Sequence, residues 1–218
     1  MNTYRYTPEK IVEEKLYFSI PLYQRLFSWG EEQVKGLLYD LKNHFDPDID
    51  NGTPYYLGML SCIKSGNHYD LIDGQQRFTV MILLAIVLRN YYKEWNGFLD
   101  GGKRLRFISR TKDNEYLTAV IQEQAEFFDP NRKMEEGKQL ILDFMESQLS
   151  SDDMREAFAK SIYNRLSFFF SVLPESYANN PASLNKYFEA MNAGGKGLEQ
   201  HEILKVRLMQ GEENKEHL

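Results

Sequence analysis

The sequence predicts an α+β protein, a small mixed sheet with a buried central helix, followed by a mainly helical region. Three observations carry this. The stretch Phe78 to Leu88, between Arg77 and Arg89, is apolar on nearly every side, as a fully buried helix is. Before it, two β-rich runs, Tyr55 to Ile63 and His68 to Ile72, flank the hairpin signal Lys64-Ser65-Gly66-Asn67. After it, apolar residues recur mostly at helical spacing, and Ser167 to Leu173 reads as a buried strand ended by Pro174.

The remaining elements follow in chain order. Leu16 to Arg25 is β-rich and broken by Pro21, which has no N–H for a ladder and suits a strand edge or end. Ser28 reads as a helix cap with Glu31 as its capping-box partner, and Val34, Leu37, Leu38, Leu41 and Phe45 follow at spacings of three and four. Asp46 to Gly52 is a loop by composition. The hairpin passes into Asp73-Gly74-Gln75-Gln76-Arg77, and the buried helix is expected over Phe78 to Trp95. Arg104 to Ile108 reads as a strand, and Asn114 to Gln124 and Met134 to Leu149 as helices. Pro181 to Met191 is expected as a helix, Asn192 to Gly197 as a glycine-rich loop, and Leu198 to Met209 as a last helix.

Composition narrows the function. A chain of 218 residues, 42% hydrophobic and 14% aromatic, has material for a real core and is neither a disordered tail nor a collagen-like fibre. The single cysteine, Cys62, allows no intramolecular disulfide or cysteine-based zinc cluster and fits a cytoplasmic setting. The longest apolar run is far short of the roughly 20 residues a membrane span needs, and the first five residues lack the core of a signal peptide, so no membrane partner is expected. A formal charge of −6 argues against a surface that coats nucleic acid indiscriminately. A local patch of Lys103, Arg104, Arg106, Arg110 and Lys112 remains, with Arg104 and Arg106 expected on one strand face that could meet a DNA backbone. His44, His68, His201 and His217 share no metal-ligand spacing.

Three segments could carry chemistry. A glycine turn between a strand and a buried helix presents free N–H groups and about half a positive charge, which suits a phosphate. Asp73-Gly74-Gln75-Gln76-Arg77 is such a turn: Arg77 adds a fork of donors, Gln75 and Gln76 suit a base edge, a ribose or a water, and Asp73 could hold Mg²⁺ through water. In Ile20 to Arg25, Tyr23 offers a stacking face and Arg25 a second fork. In Phe188 to Leu198 the glycines free the backbone to approach a ligand. Each motif alone is also what a capped helix, an edge strand or a glycine C-cap would look like.

Taken together, IPLYQRLFSW, YLGML…IDGQQRFTV and FEAMNAGGKGLEQHEILK resemble, in this order, the N-terminal domain of GmrSD-type restriction systems, a prokaryotic family of the ParB/sulfiredoxin-like superfamily. The resemblance implies a ParB-like nucleotide-binding core over residues 1–95, with residues 96–218 packing back on it. It implies that Asp73 to Arg77 bind and hydrolyse a nucleoside triphosphate, with Mg²⁺ at Asp73. Tyr23, Gln24 and Arg25 would lie beside the nucleotide together with Gly74, and Asn192 and Gly195 would bring the later region to the site. Many members carry a His-Asn-His nuclease; this chain holds none, so hydrolysis would gate a nuclease subunit or a missing C-terminal domain. A non-enzymatic ParB-like module that binds DNA and uses nucleotide as a switch is the alternative. A partner-binding scaffold with a degenerate site is a third reading.

Overall fold

In the computed structural model, residues 5–50, 52–124, 132–177, 183, 184 and 187 are described. One six-stranded mixed sheet runs in the order β1-β6-β3-β4-β2-β5, with β1 Arg5–Tyr6, β2 Phe18–Ile20, β3 Tyr55–Ser65, β4 His68–Asp73, β5 Leu105–Phe107 and β6 Leu166–Leu173. The β3–β4 hairpin is antiparallel, β3 and β6 are parallel, and β4, β2 and β5 form a parallel trio. The protein is thus α+β, and its sheet draws β5 and β6 from beyond residue 95.

The helices are α1 Pro8–Glu13, α2 Glu31–His44, α3 Gln75–Leu88, α4 Trp95–Leu99, α5 Thr111–Ile121, α6 Arg132–Gln148 and α7 Asp152–Arg165. All of α3 except Arg77 is buried, 13 of its 14 residues, which is why its sequence shows no polar face. Phe78 on α3 meets Phe18 of β2 at 4.4 Å between ring centroids, and Phe168 of β6 at 6.2 Å, so the helix lies across the sheet. Its other sides pack on α4 and α6, and α6 carries α2.

Several expectations shift. The central helix begins at Gln75 and ends at Leu88, because Gly74 turns the chain at its N-cap and the following turns lead into a separate α4, whose Trp95 indole N–H donates to the Ala159 carbonyl at 3.2 Å. Ser28 does not cap α2; Gly30 holds the N-cap position and its N–H donates to Gln33 Oε1 at 2.9 Å. The strand expected from Leu16 to Arg25 shrinks to Phe18–Ile20, since Pro21 ends its pairing. Helix α1 carries a signal in Thr7-Pro8: Thr7 Oγ1 accepts from Lys10 N at 3.2 Å, and Pro8 sits where its missing N–H costs nothing. The helices expected over Pro181 to Met191 and Leu198 to Met209 lie largely or wholly outside the described residues; Ser183, Leu184 and Tyr187 are helical.

Two carboxylates of the acidic loop Asp46 to Gly52 are spent on structure. Asp46 Oδ1 accepts from the Asp48 N–H at 3.0 Å, and Asp50 accepts from the Gly52 N–H at 2.8 Å and from both terminal nitrogens of Arg165, at the end of α7. Arg165 first, then the Gly52 N–H, holds the Asp50 carboxyl down at about 2. A carboxyl with a folded value below its unfolded one stabilises the fold above the unfolded value, and that contribution is lost as pH falls through the folded value. Asp50→Asn is therefore expected to lower the urea midpoint near neutral pH, with the difference from the wild type fading between roughly pH 4 and pH 2. Equal midpoints near neutral pH would contradict the clamp.

Candidate functional site

Because β4, β2 and β5 are parallel, the segments that leave their carboxyl ends gather on one edge of the sheet, where open α/β sheets form their ligand crevices. Asp73 to Arg77 leaves β4, Pro21 to Gly30 leaves β2, and Ile108 to Arg110 leaves β5. This topology brings Asp73, Gly74, Gln75, Gln76 and Arg77 into one neighbourhood with Tyr23, Gln24 and Arg25.

The turn sits tightly on β3. Gly74 has φ +90°, open to glycine at little cost, and a Cβ there would stand 2.6 Å from Leu60 Cδ2 and 2.7 Å from the Met59 carbonyl oxygen. Gly58, with φ +132°, lies at an irregularity in the β3–β6 pairing, and a Cβ on it would collide with the Arg77 guanidinium. The two glycines of YLGML and IDGQQR therefore serve one purpose: they let the turn and its arginine press onto a strand. Arg77 Nη2 donates to Asp73 Oδ2 at 3.0 Å, with the side chains 28% and 36% exposed, so the pair is reachable from solvent. No side chain caps α3 and no acidic residue occupies its first turn, so its leading N–H groups face no anion of the protein's own helix start.

Two glutamines expected at a ligand are structural staples. Gln76 is 6% exposed; its Nε2 donates to the Leu26 carbonyl and its Oε1 accepts from the Ser28 N–H, both at 2.8 Å. Gln24, 2% exposed, donates through Nε2 to the Ile72 carbonyl at 2.8 Å. Both fasten the segment after β2 to the β4–α3 connection. Arg110 completes the fastening: its Nη2 donates to the Leu22 and Gln24 carbonyls, while Nη1 is buried with no protein partner among the described residues. The groups left to face a ligand are Arg25, which is exposed, Arg77, Asp73, Gln75, which is 8% exposed, and the start of α3.

Tyr23 leans on a small second core with Ile63, Ile72, Leu173, Tyr177, Leu184 and Tyr187; burial first, and then Asp70, pushes its phenol up. Burial, with Asp70 and Asp73, likewise raises the Cys62 thiol well above its usual range, so this cysteine is a neutral packing residue. The Tyr187 hydroxyl donates to Ser61 Oγ, and Ser61 pairs with Asp73 across the hairpin, so the later part of the chain does return to this edge. Asn192 and Gly195 lie outside the described residues. Among the described residues no three His, Cys, Asp or Glu side chains gather as a metal site would. A single carboxylate such as Asp73 suits Mg²⁺ held mainly by water and phosphate oxygens.

Sequence reasoning missed Gly58, Ser61 and Tyr187, and placed Arg110 and Arg104 in a solvated basic patch. Arg104 is 3% exposed and donates to the Phe98, Leu16 and Gly97 carbonyls, so Arg104 and Arg106 do not share an exposed face. The mid-strand glycine before an Asp-Gly turn was the one available signal for Gly58.

Residues 8–209 match the family model described as the GmrSD restriction endonuclease N-terminal domain. None of the curated proteins compared with the chain matches it.

Two substitutions test the seating of the turn. Gly74→Ala is expected to destabilise by about 2–5 kcal/mol, from a left-handed backbone plus overpacking against Leu60. Gln76→Leu is expected to lose about 1–3 kcal/mol by orphaning the Ser28 N–H and Leu26 carbonyl. Denaturant unfolding measures both, and changes within about 0.5 kcal/mol of wild type would contradict the packing described.

Proposed function

The chain belongs to the GmrSD restriction endonuclease N-terminal domain family and is thus a module of a restriction system whose counterpart is a nuclease; on that premise we propose that it binds and hydrolyses a nucleoside triphosphate at the carboxyl-end edge of the sheet. What supports this reading is the solvent-reachable Arg77–Asp73 pair at the uncapped start of α3, with the exposed Arg25 on the segment that Gln24 and Gln76 fasten to the β4–α3 connection. Phosphoryl transfer asks little covalent chemistry of a protein; catalysis comes from positioning and from charge placed where the phosphate oxygens gain it.

In this reading Arg77 exchanges part of its bond with Asp73 for phosphate oxygens, and Arg25 closes over them from the segment after β2. Asp73 would hold Mg²⁺, which would supply positive charge to the phosphate oxygens. A water attacks the γ-phosphorus, the bond to the β,γ-bridging oxygen breaks, and nucleoside diphosphate and phosphate leave. Gln75 is the glutamine assigned to the nucleotide or the attacking water. Gln76, Gln24 and Arg110 hold the segments in register, and Tyr23 forms the wall. Asn192 and Gly195 would close the site from the later region. Turnover would gate the nuclease.

A second reading draws on the two glutamine staples. With both amides spent on backbone, fewer groups remain to place a water, which favours a module that binds nucleotide as a switch without hydrolysing it.

Arg77→Ala is expected to cut phosphate release by about a thousandfold or more. Its ion pair is partly exposed and contributes at most about 1 kcal/mol, so the melting temperature without nucleotide should barely move. Phosphate release and nucleotide-dependent melting temperature read the two effects separately. Unchanged turnover in the variant would overturn the role of Arg77. A melting temperature raised by nucleotide in a wild type that releases no phosphate would select the switch, and no rise with any nucleotide would select the scaffold.

A further inference from the structure

Tyr23 leans its ring on the second core, so the face on which a nucleotide's base would stack has to come from another ring. Because β3 runs antiparallel to β4, the start of β3 lies at the end of the sheet where β4 finishes, and there two rings stand open. They are Tyr56 on β3, 45% exposed, and Phe169 on the neighbouring β6, 38% exposed. We propose that this Tyr56–Phe169 pair, beside the Arg77–Asp73 corner, is the platform that holds the nucleobase. The inference rests on the nucleotide reading of that corner and adds a second contact to it, made to the base.

Position argues first. The Arg77 guanidinium rests on Gly58, where a Cβ would collide with it, and Gly58 is two residues beyond Tyr56 on β3. Two residues of strand cover about 6–7 Å. A nucleotide with its terminal phosphates on Arg77 therefore needs only its own phosphate chain and ribose to bring the base over Tyr56. Burial raises the Tyr56 phenol and the Arg77 charge opposes that rise, so the ring and the cation sense each other.

Geometry argues next. The two ring centroids lie 4.4 Å apart with their planes at 63°, an edge-to-face contact. Such a contact covers one face of one ring and neither face of the other. Among the ring pairs of the described residues it is the one with both members exposed; Tyr39, also exposed, meets the buried Phe144. Tyr17 has Arg104 over its ring, whereas no cation among the described residues lies over Tyr56 or Phe169. A free aromatic face takes any nucleobase by stacking, whatever hydrogen-bonding groups the base carries on its edges.

The test is titration of the full chain with a non-hydrolysable analogue of each of the four ribonucleoside triphosphates, and separately with inorganic tripolyphosphate, all with Mg²⁺. Tyr56→Ala should weaken every nucleotide analogue about five- to a hundredfold, the loss of one stacked base, and leave tripolyphosphate affinity within about twofold of wild type. Tyr56→Phe keeps the face and should bind as wild type does; Tyr56→Leu keeps apolar bulk without the face and should behave as Tyr56→Ala. The melting temperature without ligand should stay near wild type in all three, since Tyr56 is exposed, and Tyr39→Ala should change no affinity. Nucleotide affinity unchanged in both Tyr56→Ala and Phe169→Ala would overturn the platform and leave the nucleotide reading standing. So would tripolyphosphate weakened as much as nucleotide, or Tyr56→Phe binding as poorly as Tyr56→Ala. A wild type that binds neither nucleotide nor tripolyphosphate would overturn both.

Discussion

The close seating of the β4–α3 turn on strand β3 is the constraint on which the rest depends. With Gly74 against Leu60 and the Met59 carbonyl, and Gly58 clearing the way for Arg77, the turn approaches the strand more closely than any side chain would allow. That approach sets the start and direction of α3, the helix around which the core is built. It also leaves one polar residue of that helix, Arg77, at the protein surface beside Asp73. Core and candidate site are therefore two results of one contact, and a change at either glycine would be felt in both.

Around the turn, polar side chains act as fasteners more than as reagents. Gln76, Gln24 and Arg110 each bond to backbone groups of a neighbouring segment, and together they tie the three carboxyl-end connections into one piece. A preorganised phosphate corner needs that rigidity, because charge helps a reaction most when it is in place before the reaction starts.

Much of this was legible in the sequence. Local pattern is strong where one element is wholly buried, so Phe78 to Leu88 was readable, as was the hairpin with its tight turn; the buried strand expected over Ser167 to Leu173 is present as β6, but Phe169 and Val172 on it are exposed. The boundaries of α3 were not, because Gln76 looks polar and solvent-seeking until its partners 48 and 50 residues earlier are known. The glutamines and arginines stood out as chemistry, but a side chain that grips a distant carbonyl has the same letter as one that grips a ligand. Arg104 and Arg110 show this most plainly: both looked like surface charge, and both turned out to be bonded to backbone. Gly58 was quoted within its motif, yet its reason lies in Arg77, nineteen positions later and on another element.

A crystal structure of the protein with a non-hydrolysable nucleoside triphosphate and Mg²⁺ tests the nucleotide corner most directly. The expected result is the terminal phosphates against the start of α3, with Arg77 turned from Asp73 toward their oxygens and Asp73 facing the metal through water. Phosphates bound at another edge, or an Arg77–Asp73 pair left intact beneath an empty corner at saturating nucleotide, would contradict it.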